Sequence, residues 1–326
     1  MAPYALLAFV TGVGLGSLGI VAPFVFRAFS VLVGALAALA VADRKHINFF
    51  LLAVFFLAGV ARADFGALEL AFLNPARLRL EEVAHVFAEN LARALPEPHA
   101  SYAAGILVGD RSGIPPDLRD AFYKTGTSHI MALSGYNVTI IIDSLGKVLG
   151  GFWLPTLGII LFVLATGAAP SLVRASLMGV LVLLAQRYSH DYSAARALLA
   201  AVALMLFFDP ALLWGDVGFQ LSVAATFGLI WLAPKWHSKL KKFPKVFGLR
   251  DAAISTIAAQ LATLPLVFWY FGGVSWVALP ANVLVQIAMP YSMFFGFIAG
   301  LTKIIWWPAF LFLAYQIFIV RLFSGL

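Results

Sequence analysis

Cysteine is absent from all 326 residues, which excludes a disulfide framework and any thiolate metal site and leaves the redox compartment open. Charge is scarce as well: Asp, Glu, Lys and Arg make up 11% of the chain, against about 25% in a soluble domain. No Gly-x-x-x-x-Gly-Lys-Ser/Thr loop is present to cradle phosphates, and no Gly-x-Ser-x-Gly turn to raise a serine nucleophile. The six histidines (His46, His85, His99, His129, His190 and His237) never pair at short metal-ligand spacing. These absences argue against an enzyme and predict no catalytic residue, metal or cofactor. The first charged residue is Arg27, so the basic leader of a cleaved secretion signal is not expected. Tyr4 to Ala22 then reads as a retained membrane helix, whose Gly12, Gly14, Gly16 and Gly19 suit close helix packing.

Hydrophobic residues, by contrast, account for 62% of the chain and recur in windows close to the ~20 residues that cross a bilayer. The expected fold is all-α, a polytopic transmembrane helical bundle of about 10–12 spans with broken or re-entrant helices. Candidate helices run over 4–22, 27–42, 47–61, 128–146, 152–168, 171–188, 193–208, 211–233, 252–271, 276–289, 290–306 and 308–323. Segment 100–109 is apolar but too short to span, and reads as re-entrant or interfacial. No repeat of 20–50 residues is evident. Three parts are expected: N-terminal transmembrane helices over 1–61, an outer amphipathic segment over 62–101, and the main transmembrane domain over 102–326. In the middle part Leu80, Val83, Phe87, Leu91 and Ala94 fall at helical spacing, with Glu81, Glu82, Glu89 and Arg93 off that stripe.

Basic residues orient the chain. Arg44 and Lys45 follow the second candidate helix, and Lys235, Lys239, Lys241, Lys242, Lys245 and Arg250 fill one loop with no acid between Lys235 and Arg250. Stretch 62–101 carries six acids against four basic residues. Placing the basic loops in the cytoplasm puts the N-terminus inside and 62–127 outside, and five crossings between 128 and 233 keep the parity consistent. Trp236, Phe243 and Phe247 among those cations suit anionic lipid, or single-stranded nucleic acid at a channel exit.

Polar chemistry concentrates between Gly105 and Asn137. Pro115, Pro116 and Asp117 suit a helix start, and Gly126 suits its stop. Ser128 suits the next N-cap, so the segment reads as a tight elbow carrying Asp110, Arg111, Lys124 and Thr125. The plainer reading is a structural elbow held by an Asp110–Arg111 or Asp120–Lys124 ion pair. In the helix that follows, His129, Leu133 and Asn137 share one side, and Ser134-Gly135 marks a break whose exposed backbone must face protein or a hydrated cavity. Asp216 and Gln220 share a face, as do Thr256, Gln260 and Thr263, and Asn282 and Gln286, while Arg174 opens its own span. Each set serves either as interhelical hydrogen-bond glue or as part of a hydrated path.

At three separated places the chain resembles the competence domain of the ComEC family. The first joins Gly109-Asp110-Arg111, Thr125-Gly126-Thr127-Ser128-His129 and Ala132-Leu133-Ser134-Gly135. The second joins Pro170-Ser171-Leu172-Val173-Arg174-Ala175, Asp209-Pro210 and Asp216-Val217-Gly218-Phe219-Gln220. The third joins Ala259-Gln260-Leu261-Ala262-Thr263-Leu264-Pro265, Phe271-Gly272-Gly273-Val274-Ser275 and Asn282. The resemblance covers about 105–290 and implies a bacterial inner-membrane channel passing single-stranded DNA into the cytoplasm during natural transformation. Its path would be lined by Asp110, Arg111, Lys124, Thr125, Gly126, His129, Ser134, Gly135, Asn137, Arg174, Asp216, Gln220, Gln260 and Asn282. Implied partners are single-stranded DNA, membrane lipid, an outer DNA receptor, a separate nuclease-like protein, a cytoplasmic motor ATPase and further copies in a homo-oligomer. Many members continue Ser-Gly with Leu-His, where this chain has Tyr136-Asn137. Many also add an OB-like and a metallo-β-lactamase-like domain, so the expectation is a channel-domain form. The competing expectation, from broken helices with polar faces alone, is a secondary transporter for a small anionic solute.

Overall fold

The computed structural model describes residues 2–17, 54–56, 58–62, 74–131, 133, 135–149, 151–167, 169–188, 193–239, 249–303 and 306–325. Among them every regular element is helical, as the composition requires of a chain whose backbone polar groups must be satisfied within hydrocarbon. The elements begin with α1 (Ala2–Ser17), α2 (Asn74–Ala94), α3 (His99–Val108) and α4 (Pro116–Lys124). A 3-10 turn (Ser128–Met131) leads to α5 (Gly135–Leu149), α6 (Trp153–Ala165), α7 (Pro170–Arg187) and α8 (Ala194–Phe208). Then follow α9 (Leu212–Gly215), α10 (Val217–Trp231), α11 (Ala233–Lys239), α12 (Leu249–Phe271), α13 (Ala278–Thr302) and α14 (Trp307–Ser324). Of these, α12, α13 and α14 are long and apolar enough to cross a membrane, and α3, α6, α8, α10 and residues 3–15 of α1 are shorter apolar helices. The molecule is an all-α helical membrane protein.

Three boundaries differ from the hydropathy pattern. The segments 276–289 and 290–306 form the single helix α13 with Pro290 inside it, a tolerance common where neighbouring groups re-satisfy the freed carbonyl. Segment 211–233 divides at Asp216 into α9 and α10. Segment 128–146 divides into the 3-10 turn and α5. Most of 27–61 and residues 240–248 of the Lys-rich loop lie outside the described residues.

The chain forms two compact units. The first joins Met1–Ala71 to Asp191–Val223. Here the glycines of α1 admit a backbone-to-backbone crossing: a Cβ on Gly12 would lie 2.1 Å from the Phe56 carbonyl oxygen, and one on Gly59 2.2 Å from that of Phe9. Buried Arg62 donates to the carbonyls of Phe207 and, at 2.8 Å, Phe208, covering the open end of α8 with a cation.

The second unit comprises Phe72–His190 and Ala224–Leu326. Its core is the antiparallel hairpin of α13 and α14, with α3 and α4 packed on it. In α3 eight of ten residues are buried, and Tyr102 meets Phe122 of α4 at 5.2 Å between ring centroids. Two polar side chains sit fully buried between α13 and α14: the Ser292 hydroxyl donates to Gln316 Oε1 (3.0 Å), and Gln316 Nε2 donates to the Val285 carbonyl (3.1 Å). That pairing fixes the register of two otherwise apolar surfaces, at about 0.6 kcal/mol per interhelical bond. Phe87 of α2 packs on Phe297 (5.8 Å) and against Gly300, where a Cβ would be 2.4 Å from its ring. The elbow after α4 instead meets α13 at Ala278, about 30 Å from Gly300 by helical rise.

Candidate functional site

The elbow is built by three backbone devices. Gly109 ends α3 in the left-handed region (φ +82°), where a Cβ would also lie 2.8 Å from Leu133 Cδ1. Asp110 then accepts from the Ser112 hydroxyl (2.6 Å) and the Ser112 backbone N–H (2.9 Å) through Oδ1, forming an Asx turn. Those two bonds, the hydroxyl's first, hold the Asp110 carboxyl below the ordinary carboxylate range. Pro115 and Pro116 open α4, and Asp117 stands in its first turn.

The end of α4 is a Schellman turn. The N–H of Thr127 bonds the Phe122 carbonyl (2.9 Å) and that of Gly126 bonds Tyr123 (3.0 Å), with Gly126 at φ +63°. Thr125 and Thr127 are both fully buried, with their hydroxyls 2.6 Å apart. The Thr125 hydroxyl also reaches the Ala121 carbonyl (2.9 Å). Asn282, on α13, donates through Nδ2 to the Ala278 carbonyl (2.8 Å) and, more weakly, to that of Gly126 (3.4 Å). Thr125, Gly126 and Asn282, three of the residues singled out from sequence, therefore meet at one place. A Cβ on Gly126 would lie 2.8 Å from Ala278 Cβ, so the elbow sits directly on the start of α13.

The expected ion pairs do not form among the described residues. Asp110 turns to Ser112 instead of Arg111, Asp120 and Lys124 stay exposed, and the elbow's ion pair is Asp117–Arg321 (3.2 Å), which ties α4 to the end of α14. Nor do His129 and Asn137 share a helix face. The 3-10 turn and the break after it reset the helical phase. His129 is exposed on the turn, whereas Asn137 is fully buried in α5 and donates to the Ile106 carbonyl of α3 (2.9 Å). Gly135 opens α5 against α7, with its Cβ position 3.1 Å from Ala175. Beside Ala175, buried Arg174 hydrogen-bonds the Thr226 hydroxyl and approaches Met178 Sδ at 3.7 Å. Ser134 lies outside the described residues.

The remaining residues occupy two other settings. In the first unit Asp216 and Gln220 both serve the α9–α10 junction: Asp216 Oδ1 accepts from the Phe219 N–H (2.5 Å), and Gln220 Nε2 donates to the Leu213 carbonyl (2.9 Å). In the second unit Gln260 is half-buried on α12, and Thr263 turns its hydroxyl back onto the Ala259 carbonyl (3.0 Å). Thr226, Ser292, Gln316 and Arg321 entered no sequence-based constellation, and Asp117 entered only as part of a helix start. Gln316, the only amide within the apolar run 307–324, carried a signal; the pairing of Asp117 with Arg321, 204 residues apart, carried none.

The singled-out residues thus divide into a frame and a rim. Thr125, Gly126, Asn137, Arg174 and Asn282 are held within the protein, whereas Asp110, Arg111, Lys124 and His129 have exposed surface. A family model described as Competence protein matches residues 106–326, the stretch from α3 through α14. ComE operon protein 3 of Bacillus subtilis (strain 168) is 29% identical over 219 residues, covering 63% of this chain and 27% of its own length. This chain therefore spans about a quarter of the length of that curated relative. No solved structure matches.

Proposed function

Because this chain belongs to the competence protein family, we propose that it serves DNA uptake as an inner-membrane channel domain conducting single-stranded DNA into the cytoplasm. The observation that carries the reading is the elbow followed by the broken helix, where exposed Arg111, Lys124 and His129 hang on a buried frame of backbone-directed polar groups. A polyanion needs contacts that are repeated and individually weak, since a strong site would trap it. A rim with only two cations, Arg111 and Lys124, on a buried frame meets that requirement. Residues 102–326 form the channel-type region in this reading, the conduction step is not enzymatic, and the energy comes from a separate cytoplasmic ATPase. An outer receptor and a nuclease-like protein would deliver the strand, and further copies of the chain would complete the pore.

The antiparallel pairing of α13 and α14 supports one orientation for the mouth. The elbow touches the start of α13 and the end of α14, so both contacts lie at the same end of the hairpin. With the Lys-rich loop before α12 in the cytoplasm, that end faces outward, and parity puts the N-terminus in the cytoplasm. The test is deletion in a transformable host, complemented by the wild type or by Arg111→Glu with Lys124→Glu, scoring labelled DNA on each side of the inner membrane. The expected result is DNA bound outside but not delivered, in the deletion and in the charge-reversed strain. Normal delivery in both overturns the proposal. Single cysteines, clean probes in a cysteine-free chain, add the orientation: an impermeant reagent on intact cells should label position 124 and not position 240.

A further inference from the structure

Away from the elbow, one face of α14 is left uncovered beside the α2–α3 junction. Two cavities follow it, of about 700 Å³ along Ala94, Pro96, Trp307, Phe310 and Leu311, and of about 310 Å³ along Pro98, His99, Ala314, Phe318 and Arg321. His99 packs at a tilt against Phe310, with 4.6 Å between ring centroids, where the two meet, so they are successive stretches of one groove. Trp307, Leu311 and Phe318 are each more than half exposed along it. From Trp307 to Arg321 the groove runs about 21 Å by helical rise. One leaflet of a ~30 Å hydrocarbon core holds chains of roughly 15 Å, so the groove is long enough for one acyl chain.

Polarity within the groove is confined to one end. There Arg321 pairs with Asp117 at 3.2 Å, both more than half exposed. A carboxylate paired with the guanidinium disfavours a purely anionic ligand and complements a head that carries both signs. At the other end Trp306 and Trp307 have the amphipathic rings that collect at membrane–water boundaries.

We infer that this groove is a site for a glycerophospholipid whose headgroup bears a phosphate and a primary ammonium. The phosphate lies on Arg321, the ammonium on Asp117, and one acyl chain runs past Ala314 and the His99–Phe310 contact. The bound lipid fills the seam between the α2–α3 junction and α14, where protein side chains leave the space open.

The test is native mass spectrometry of the full chain extracted in mild detergent. The expected spectrum shows one phosphatidylethanolamine per chain surviving detergent washing. Arg321→Gln should weaken retention about five-fold, the change expected for one basic residue at a membrane surface. Ala314→Phe should abolish it by filling the groove, and Leu301→Phe, on the exposed face of α13, should leave it unchanged. Should Ala314→Phe fail to fold, washed wild-type protein titrated with dioleoyl-phosphatidylethanolamine decides the matter. It should regain one lipid and melt higher, with dioleoyl-phosphatidylglycerol binding more weakly. Equal retention by the Arg321→Gln and Leu301→Phe proteins, equal binding of the two lipids, or a second polypeptide held in place of lipid would each overturn the inference.

Discussion

The elbow after α4 and the junction between α9 and α10 solve the same problem in different ways. Both break an apolar helical run, and both must satisfy the backbone groups the break releases. At the α9–α10 junction the satisfaction is local: Asp216 reaches three residues ahead and Gln220 seven behind. At the elbow part of it is long-range, since Asn282 reaches the Gly126 carbonyl across 156 residues of sequence, and a side-chain ion pair, Asp117–Arg321, adds a second long-range tie across 204. A local break can form as its own segment forms. The elbow is complete only once α13 and α14 have docked, so its geometry reports the assembly of the unit around it.

The sharpest way to break that contrast is Gly126→Val. A branched side chain at φ +63° costs about 1–2 kcal/mol in backbone strain. The overlap with Ala278 adds roughly 1–3 kcal/mol of overpacking. The variant should lose folded protein in a detergent thermal melt, beyond any effect on conduction. A melt like that of the wild type would mean the elbow does not depend on α13.

Next in size, Asn282→Ala leaves the half-buried Gly126 carbonyl without its long-range donor, a loss of about 0.5–1.5 kcal/mol. Hydrogen exchange should rise across 122–128 as well as at the start of α13. A rise confined to α13 would show that the 3.4 Å contact carries no weight.

Asp216→Ala removes an N-cap, typically about 1 kcal/mol, and its exchange should rise only around 212–220. Asp216→Asn, which keeps an acceptor, should recover most of it. If conduction falls equally in Asn and Ala variants while exchange is unchanged, Asp216 acts through its charge and the local-cap reading fails.

The smallest effect concerns acid. The Asp110 carboxyl is held below its ordinary range, so its contribution to the folded elbow is fully present above the unfolded carboxylate pKa. It is lost as pH falls through the lowered folded value. Ser112→Ala removes the larger of the two causes and should move the Asp110 titration upward, read from its carboxyl ¹³C shift. An unmoved titration would leave the Asx turn without its electrostatic role.

Legibility in the sequence followed the range of the interaction. The Pro-Pro start and Gly126 stop of α4 were readable because helix capping is decided within about four residues. The expected break at Ser134-Gly135 lies partly outside the described residues; the 3-10 turn ends at Met131, Leu133 belongs to no helix, and α5 begins at Gly135. The shared face of His129 and Asn137 failed because spacing arithmetic assumes one unbroken helix. The merger of 276–289 with 290–306 escaped because Pro290 is judged by local cost, whereas neighbours in the bundle decide whether a helix continues through it.

By itself, then, the sequence determined the class of solvent and the local punctuation. Its apolar runs leave no alternative to helices in a membrane, and its prolines and glycines set where several of them start and stop. The tertiary structure alone decided which polar side chains became frame and which became rim. Thr125, Asn137 and Asn282 read as equals of Lys124 and His129 along the chain, yet the first three are buried on backbone groups and the last two are exposed. The reason is that a polar group in apolar surroundings takes whatever partner packing brings within about 3 Å, and that partner, as with Asn137 and Ile106, can belong to another helix.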